Sequence, residues 1–114
     1  MIAFLLLLQS SLSGTATVVD GDTLRLAGEP ARIRLWGIDA PETSTAAGRE
    51  ASAFLQGVVI GETIQCTPEG HDRYGRIVAR CRSRDGDLGQ TLISQGYAEE
   101  WCRYSQGYYG GCGE

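Results

Sequence analysis

The sequence has no hydrophobic run long enough to cross a membrane, because its longest apolar stretch, residues 2–8, is far below the roughly 20 residues that a spanning helix needs. None of its four cysteines forms a Cys-x-x-Cys pair, which excludes a zinc knuckle. It has a single histidine, His71, which we interpret as a surface residue in a polar loop. The EF-hand loop pattern and internal repeats are also absent, so the chain reads as one small domain with one modest core.

The sequence is rich in glycine and has more acidic than basic residues. Its 114 residues include 16 glycines, which indicate tight turns and short strands, and the apolar share of 42% is ordinary for a globular protein. The formal net charge is -4, from 10 basic and 14 acidic residues. Because this net charge repels polyanions, a nucleic-acid partner would need a local basic patch, and tight non-specific binding is disfavoured.

The N-terminal segment, residues 1–13, has the apolar core and the small residues of a secretory signal, although no Lys or Arg precedes that core. We predict cleavage near Ser13 or Gly14, which leaves a single domain over residues 14–114; the alternative is a buried first strand. An even number of cysteines at long, irregular spacings agrees with export. The sequence therefore predicts a secreted or periplasmic monomer without stable membrane association after signal cleavage.

Alternating β-branched and apolar residues predict strands in the first third of the chain. We expect them at residues 15–19, 23–26 and 32–38, the first two forming a hairpin. The third should stop at the turn that contains Pro41, since proline cannot donate to a β-ladder and disfavours a helical residue before it.

Apolar residues at helical spacing predict a helix over residues 46–59, with Ser44 or Thr45 as its N-terminal cap. A second, shorter helix is expected after Asp87, because Asp87 and Gln90 have the spacing of a capping box.

Two further strands are predicted at residues 63–67 and 76–82. Five strands with a helix inserted after the third, and a short second helix, follow the order of an OB-fold, a small barrel that often binds oligonucleotides. The expected fold class is therefore α+β, mainly β.

The four cysteines permit three disulfide pairings. If the fourth and fifth strands pair antiparallel, Cys66 and Cys81 lie opposite one another on neighbouring strands. Cys102 and Cys112 would then close a loop in the C-terminal tail, which would otherwise fray. We prefer this pairing, Cys66 with Cys81 and Cys102 with Cys112, over the other two.

Carboxylates and arginines from several turns are the candidates for chemistry. Carboxylates without histidine or thiolate partners suit a hard cation such as Ca²⁺ or Mg²⁺ better than zinc. Each segment taken alone is more simply explained as a charged surface turn. The candidates are Asp20, Asp22, Asp39 and Glu42, together with Arg34, Arg73 and Arg76.

Three motifs in combination are more specific than these residues alone. Val-Asp-Gly-Asp-Thr-Leu occupies residues 19–24, Arg-Leu-Trp-Gly-Ile-Asp-Ala-Pro-Glu residues 34–42, and Asp-Arg-Tyr-Gly-Arg residues 72–76. In this order and at about these separations, the chain resembles the staphylococcal nuclease (thermonuclease) family over residues 16–104. The resemblance implies an OB-fold barrel and a Ca²⁺-dependent nuclease that hydrolyses DNA and RNA to 3'-phosphate and 5'-hydroxyl products, with single strands preferred.

The resemblance also implies roles for individual residues. Asp22 and Asp39 would bind Ca²⁺ directly, the Ala40 backbone carbonyl would be a third ligand, and Asp20 would act through water. Glu42 would orient or deprotonate the attacking water, and a carboxylate three residues from a metal ligand can reach a metal-bound water.

Arginines would bind the substrate phosphate. Arg34 and Arg76 match the family's catalytic arginines, and permanently charged, bidentate guanidiniums stabilise the charge that builds up on phosphate oxygens. Arg73 and Tyr74 match positions that contact substrate phosphate. Tyr104 is a further candidate for a phosphate or base-stacking contact, with packing as the alternative.

The chain departs from the family pattern in three ways: a shorter loop after Glu42, a net negative charge, and an end point where the family's third, C-terminal helix would begin. We expect the first two to weaken substrate affinity and the two disulfides to replace the absent helix. One alternative is a non-catalytic OB-fold module that binds nucleic acid or protein, although such modules usually lose the carboxylates or arginines retained here. Another is a small disulfide-stapled interaction domain.

Overall fold

The computed structural model describes residues 11–113, so residues 1–10 of the predicted signal segment lie outside the described residues. The predicted cleavage site at Ser13 or Gly14 lies within the first strand, Leu12–Asp20, and cleavage there stays a prediction. None of the helices in the described part of the chain is both long and apolar enough to span a membrane. In chain order the elements are β1 (Leu12–Asp20), β2 (Thr23–Leu26), β3 (Ile33–Leu35), β4 (Ile38–Asp39), α1 (Ala46–Val59), β5 (Thr63–His71), β6 (Ile77–Ser83), β7 (Gly86–Asp87), α2 (Leu88–Ser94), β8 (Glu99–Glu100) and α3 (Cys102–Ser105).

Five of these strands close into a barrel. β1 pairs antiparallel with both β2 and β5, β2 pairs with β3, and β5 pairs with β6. A parallel pairing of β3 with β6, which aligns Ile33 with Ile77 and Leu35 with Ala79, joins the two ends of the sheet. The predicted α+β, mainly β class is confirmed, with a five-stranded OB-fold barrel and α1 after the third barrel strand.

The barrel and α1 share one hydrophobic core. Because alternate side chains of a strand point to opposite faces, Leu24, Ile33 and Ile64 point inward and are fully buried. Leu55 and Val59 on one face of α1 join the same cluster. Burial of one such side chain contributes about 1.5–3 kcal/mol, so α1 is firmly held against the barrel.

The predicted helices are observed almost as expected. α1 has the predicted bounds, and the Thr45 hydroxyl caps it by accepting a hydrogen bond from the backbone N–H of Gly48 at 3.0 Å. α2 begins after Asp87, whose carboxylate accepts a hydrogen bond from the backbone N–H of Gln90 at 2.9 Å. β1 and β5 are longer than predicted, because their pairing with each other and with β6 extends beyond the runs of β-branched residues.

The predicted strand over residues 32–38 is wrong in its second half. β3 ends at Leu35 and the chain then turns at Trp36 and Gly37, where Gly37 has a φ of 78°. A β-carbon at Gly37 would lie 3.3 Å from that of Ser105, so both the backbone angle and the close tail favour glycine. After the turn the chain forms β4, which pairs with β8 and not with the barrel.

The structure contains both predicted disulfides. Cys66 and Cys81 face each other in the β5–β6 register, with their Cα atoms 4.0 Å apart and both side chains buried in the core. Cys102 and Cys112 are joined in the tail and enclose α3, the third helix of the described residues, which has four residues.

Candidate functional site

All seven residues predicted to act in metal binding and catalysis line one cavity of about 190 Å³. They come from four segments: the end of β1 and the turn after it, β3, the end of β4 and the residues after it, and the residue that precedes β6. Pro41 completes the lining, and the seven are Asp20, Asp22, Arg34, Asp39, Ala40, Glu42 and Arg76. Residues that are distant in the sequence thus meet at one end of the barrel.

Asp22 is the buried carboxylate of this cavity, with 8% of its surface exposed. It accepts hydrogen bonds from the backbone N–H of Ala40 at 2.9 Å and from the hydroxyl of Thr23 at 3.2 Å. Burial raises the pKa of Asp22 to about 6, although the Arg34 guanidinium, 3.6 Å away, acts in the opposite direction. A nearby cation would therefore be favourable, because it would stabilise the ionised carboxylate.

The β1–β2 turn that carries Asp22 is packed tightly against α1. A β-carbon at Gly21 would lie 2.9 Å from the β-carbon of Ala40 and 2.8 Å from that of Ala51 on the helix. Because only glycine fits this contact, the small residues bring the turn, the segment after β4 and the helix together. This packing holds Asp22 at hydrogen-bonding distance from Ala40.

Arg34 is held rigidly although it carries a full charge. Its Nη1 donates hydrogen bonds to the carbonyl groups of Leu35 and Ile38, both at 2.8 Å, and only 9% of the residue is exposed. The turn after β3 makes this geometry possible, because it brings both carbonyls within reach of one guanidinium nitrogen. Nη2 lies 3.5 Å from the carboxylate of Asp39. Such a guanidinium needs little further ordering to bind a phosphate.

Arg76 is oriented by Asp72, the first residue of the motif at residues 72–76. The Asp72 carboxylate accepts hydrogen bonds from Nε of Arg76 at 2.6 Å and from the backbone N–H groups of Tyr74 and Arg76. Burial alone would raise the pKa of Asp72, but these hydrogen bonds outweigh it and lower the pKa. Nη1 of Arg76 lies 3.5 Å from the hydroxyl of Thr23, which links Arg76 to Asp22.

Glu42 borders the cavity with an exposed side chain. Its backbone carbonyl accepts hydrogen bonds from the backbone N–H of Thr45 at 2.9 Å and from the Thr45 hydroxyl at 2.6 Å. The residue that caps α1 therefore also closes the turn that carries Glu42.

A larger groove of about 610 Å³ adjoins this cavity. Arg34 and Arg76 line both, so the two guanidiniums form the boundary between them. The three predicted substrate-binding residues, Arg73, Tyr74 and Tyr104, line the groove. Tyr74 and Tyr104 are 62% and 55% exposed, so these rings are open to a bound ligand.

The groove also contains Trp101, which the sequence interpretation did not single out. No motif marks it, since it follows the short β8 in an otherwise irregular tail.

Thr23 was missed as a site residue for a different reason: within its motif it has the character of an ordinary strand residue. The Asp72 contact had a sequence signal, because aspartate four residues before an arginine, across a Gly-containing turn, is placed to accept its hydrogen bonds.

The donor atoms of the cavity suit a hard cation. Its lining offers carboxylate and backbone oxygens, with no histidine or cysteine. Within residues 11–113 no three carboxylates of the cavity have oxygens within 4.8 Å of one another, so a cation here would also draw on backbone carbonyl and water oxygens. Mixed ligands of this kind are usual for Ca²⁺, and the Asp39 side chain, 66% exposed, has room to adjust.

The chain is similar to several known proteins. Residues 32–110 match the model of the family described as staphylococcal nuclease homologue. A succinoglycan biosynthesis protein of Rhizobium meliloti is 34% identical over 108 residues, which cover 84% of this chain and 56% of the relative. An uncharacterized endonuclease of Escherichia coli is 35% identical over 91 residues, which cover 77% of this chain and 60% of the relative. A micrococcal nuclease of Shigella flexneri is 31% identical over 99 residues, which cover 82% of this chain and 57% of the relative.

The matched segment spans less than two thirds of the length of each of these relatives. The family match itself covers more than half of this chain and includes Arg34, Asp39, Glu42 and Arg76, which line the cavity. On the strength of this match and of the barrel that carries it, the chain belongs to the staphylococcal nuclease family.

Proposed function

We propose that this protein is a Ca²⁺-dependent nuclease that hydrolyses DNA and RNA phosphodiester bonds to 3'-phosphate and 5'-hydroxyl products. One observation carries the proposal: Arg34 and Arg76 line both the carboxylate cavity and the aromatic groove. A phosphate bound between the two guanidiniums would face the carboxylates on one side. The sugar and base of the same nucleotide would extend into the groove, which has a volume of about 610 Å³ and is lined by aromatic rings.

Asp22 and Asp39 would hold Ca²⁺ directly, with the Ala40 carbonyl as a third ligand and Asp20 acting through water. When bound, the ion supplies a positive charge that polarises the phosphate and lowers the pKa of a nearby water. The raised pKa of Asp22 supports this assignment, because burial leaves its ionised form in need of a positive partner beyond Arg34.

Glu42 would accept a proton from the attacking water as the new bond to phosphorus forms. The bond from phosphorus to the 5' oxygen then breaks, that oxygen takes up a proton from solvent to become the 5'-hydroxyl group, and Glu42 returns its proton to solvent. Arg34 and Arg76 would stabilise the negative charge that builds up on the phosphate oxygens in the transition state. Arg34 is buried, Arg76 is half-buried, and both are held by hydrogen bonds, so little reorganisation is needed at that moment.

We propose that single strands and frayed ends are preferred, because an unpaired nucleotide can turn its phosphate toward the carboxylates while its base enters the groove. The net charge of -4 supports weak, local binding over tight non-specific binding. The two disulfides favour an oxidising compartment, and we propose a secreted or periplasmic protein that acts as a monomer.

The proposal is tested by the release of acid-soluble nucleotides from heat-denatured DNA and from RNA, with Ca²⁺ or with chelator. We expect release that depends on Ca²⁺, and activity that chelator leaves unchanged would overturn the metal assignment. Glu42→Gln and Arg76→Ala should each lower kcat by a factor of at least about 10², because the loss of a general base or of a charge contact in the transition state usually has an effect of this size. Binding without any hydrolysis would instead favour a non-catalytic OB-fold module.

A further inference from the structure

The described part of the chain forms a further cavity, of about 540 Å³, that shares no lining residue with the carboxylate cavity or the aromatic groove. It lies on the outer face of the β5–β6 pair, where Gln65 is opposite Arg82 and Thr67 is opposite Arg80. The buried disulfide of the core joins the same two strands on their inner face. A rigid pair of strands therefore presents all four side chains.

This outer cavity is rich in hydrogen-bond donors and has two arginines in its lining, Arg80 and Arg82. Within residues 11–113 the exposed Arg82 forms no ion pair. Asp87 also lines the cavity, but its Oδ1 accepts hydrogen bonds from the backbone N–H of Gln90 and from the hydroxyl of Tyr109. The remaining donors suit an anion such as a phosphate, which a guanidinium binds through two parallel hydrogen bonds.

Arg80 is held in place by its neighbours. Its Nε donates to the carboxylate of Glu69 at 2.8 Å, its Nη1 donates to the hydroxyl of Tyr108 at 2.9 Å, and its guanidinium carbon lies 5.6 Å from the centroid of the Trp36 ring. Because the Tyr108 hydroxyl accepts this hydrogen bond, its own proton is free to donate to a ligand. Glu69 offsets the charge of Arg80, so Arg82 provides the uncompensated charge of the outer cavity.

β6 connects the outer cavity with the proposed catalytic site. Arg76 precedes this strand, and Val78, Arg80 and Arg82 follow on its outer face at intervals of two residues. Val78 lines the aromatic groove, and the two arginines line the outer cavity. Because a strand advances about 3.3 Å per residue, Arg80 and Arg82 lie about 13 and 20 Å along it from Arg76. Each interval of two residues is close to the separation of adjacent phosphates in an extended single strand.

We propose that the outer cavity is an accessory phosphate-binding site, which holds a phosphate of the same nucleic-acid strand about two to three nucleotides from the scissile bond. This inference rests on the proposed nuclease function and concerns the length of substrate that the protein binds. The strand leaves the groove past Val78 and reaches Arg80 and Arg82, which bind its phosphates without reading its bases. Because the net charge of the protein is -4, such a local site supplies much of the affinity for long substrates.

The test compares single-stranded DNA oligonucleotides that have one cleavable linkage and are extended by one to five nucleotides on its 5' or its 3' side. For the wild type, KM should fall when the extension on one of the two sides reaches three nucleotides. Arg82→Ala should raise KM for these extended substrates by about tenfold, the effect of losing a hydrogen-bonded charge contact, and should change KM for the shortest ones less than twofold.

A neutral methylphosphonate locates the contact on the substrate. When it replaces the phosphate two or three nucleotides from the cleavable linkage, it should raise KM for the wild type as much as Arg82→Ala does. It should have no further effect on the Arg82→Ala variant, because substitutions that remove the same contact are not additive. Fully additive effects at every position would contradict a direct contact between Arg82 and phosphate.

Arg25→Ala is the matched control, because Arg25 is an exposed arginine of the same barrel that, within residues 11–113, lines neither cavity nor the groove. It removes the same charge and should change KM less than twofold at every length. Glu69→Gln should act in the opposite direction to Arg82→Ala, since Arg80 without its ion pair binds phosphate more strongly. A rise in KM for Arg82→Ala that is equal on short and long substrates, or no rise on either, would overturn the inference.

A binding measurement separates this inference from the proposed function. Fluorescence anisotropy of labelled oligonucleotides with the Glu42→Gln variant measures Kd without requiring hydrolysis. For the extended oligonucleotide, adding Arg82→Ala should reduce the dependence of log Kd on log salt concentration by about 0.7, the value for one phosphate contact with a single strand. If the wild type hydrolyses none of the substrates, the proposed function fails while this titration still decides the accessory site. An unchanged salt dependence contradicts it.

Discussion

The backbone of Gly48 on α1 lies directly against the carbonyl group of Glu42. A β-carbon added at position 48 would collide with both the oxygen and the carbon of that carbonyl, and would lie 2.8 Å from the carbonyl oxygen of Pro41. The position of the turn that carries Glu42 therefore depends on the absence of a side chain on the helix beneath it. The packing of α1 at this contact therefore determines part of the geometry of the site.

Gly48→Ala should impair activity out of proportion to its effect on folding. The turn must move by about 1 Å to admit the methyl group, and a misplacement of that size can lower kcat by about 10². Steady-state hydrolysis of single-stranded DNA measures this. Gly57→Ala on the same helix is the control, since nothing lies within 4 Å of its added β-carbon. It should leave activity unchanged and stabilise α1 by about 0.5–1 kcal/mol; equal kcat for the two variants would contradict the prediction.

Asp72→Ala should lower kcat by about tenfold or more, because Arg76 loses the carboxylate that orients its Nε. Asp72→Asn should be intermediate, since the amide oxygen keeps an acceptor but not the charge. Glu69→Ala is a suitable comparison: it removes the ion pair of Glu69 with Arg80 on the same pair of strands, outside the cavity. A Glu69→Ala enzyme as slow as Asp72→Ala would show that the loss is not specific to Arg76.

The two disulfides should contribute differently. Cys66 and Cys81 close a loop of 15 residues in the core, worth about 3 kcal/mol in the chain-entropy model, so replacing both with alanine should lower the free energy of unfolding by about that amount. Denaturant unfolding and Tm with and without reductant measure this loss of stability. A Tm that reductant leaves unchanged would contradict it.

Replacing Cys102 and Cys112 with serine should mainly raise KM, because Trp101 and Tyr104 lose their fixed positions.

The affinity for Ca²⁺ should rise with pH across the range around 6. Burial raises the pKa of Asp22 to about 6, so below that pH the carboxyl is increasingly protonated and a bound cation must displace the proton. Above it the carboxylate is already ionised and the affinity should level off. Calorimetric titration of Ca²⁺ between pH 5 and pH 7.5 measures the dependence, with Asp22→Asn as the variant that should bind weakly at every pH. Equal Ca²⁺ affinity at both ends of this range would argue against Asp22 as a ligand.

Local patterns were sufficient to predict most of the elements. The helix over residues 46–59 was predicted with its observed bounds, because its apolar spacing and its Thr45 cap are determined by neighbouring residues. The preferred pairing of Cys66 with Cys81 is confirmed, because β5 and β6 do pair antiparallel and align the two residues. The strand over residues 32–38 was mispredicted, since the break at Gly37 depends on the tail packed against it as well as on its own φ.

The sequence by itself determined the order of strands and helices and the identity of the charged residues, because these depend on local periodicity and on side-chain chemistry. Only the tertiary structure decided which of those residues lie together. Closure of the barrel brings the amide of Ala40 to a carboxylate 18 positions earlier in the chain, and Arg76 to a hydroxyl 53 positions earlier. Burial of Asp22, the anchoring of Arg34 by two carbonyls and the contact of Trp101 with Arg34 follow from that closure, since each requires groups that no local pattern brings together.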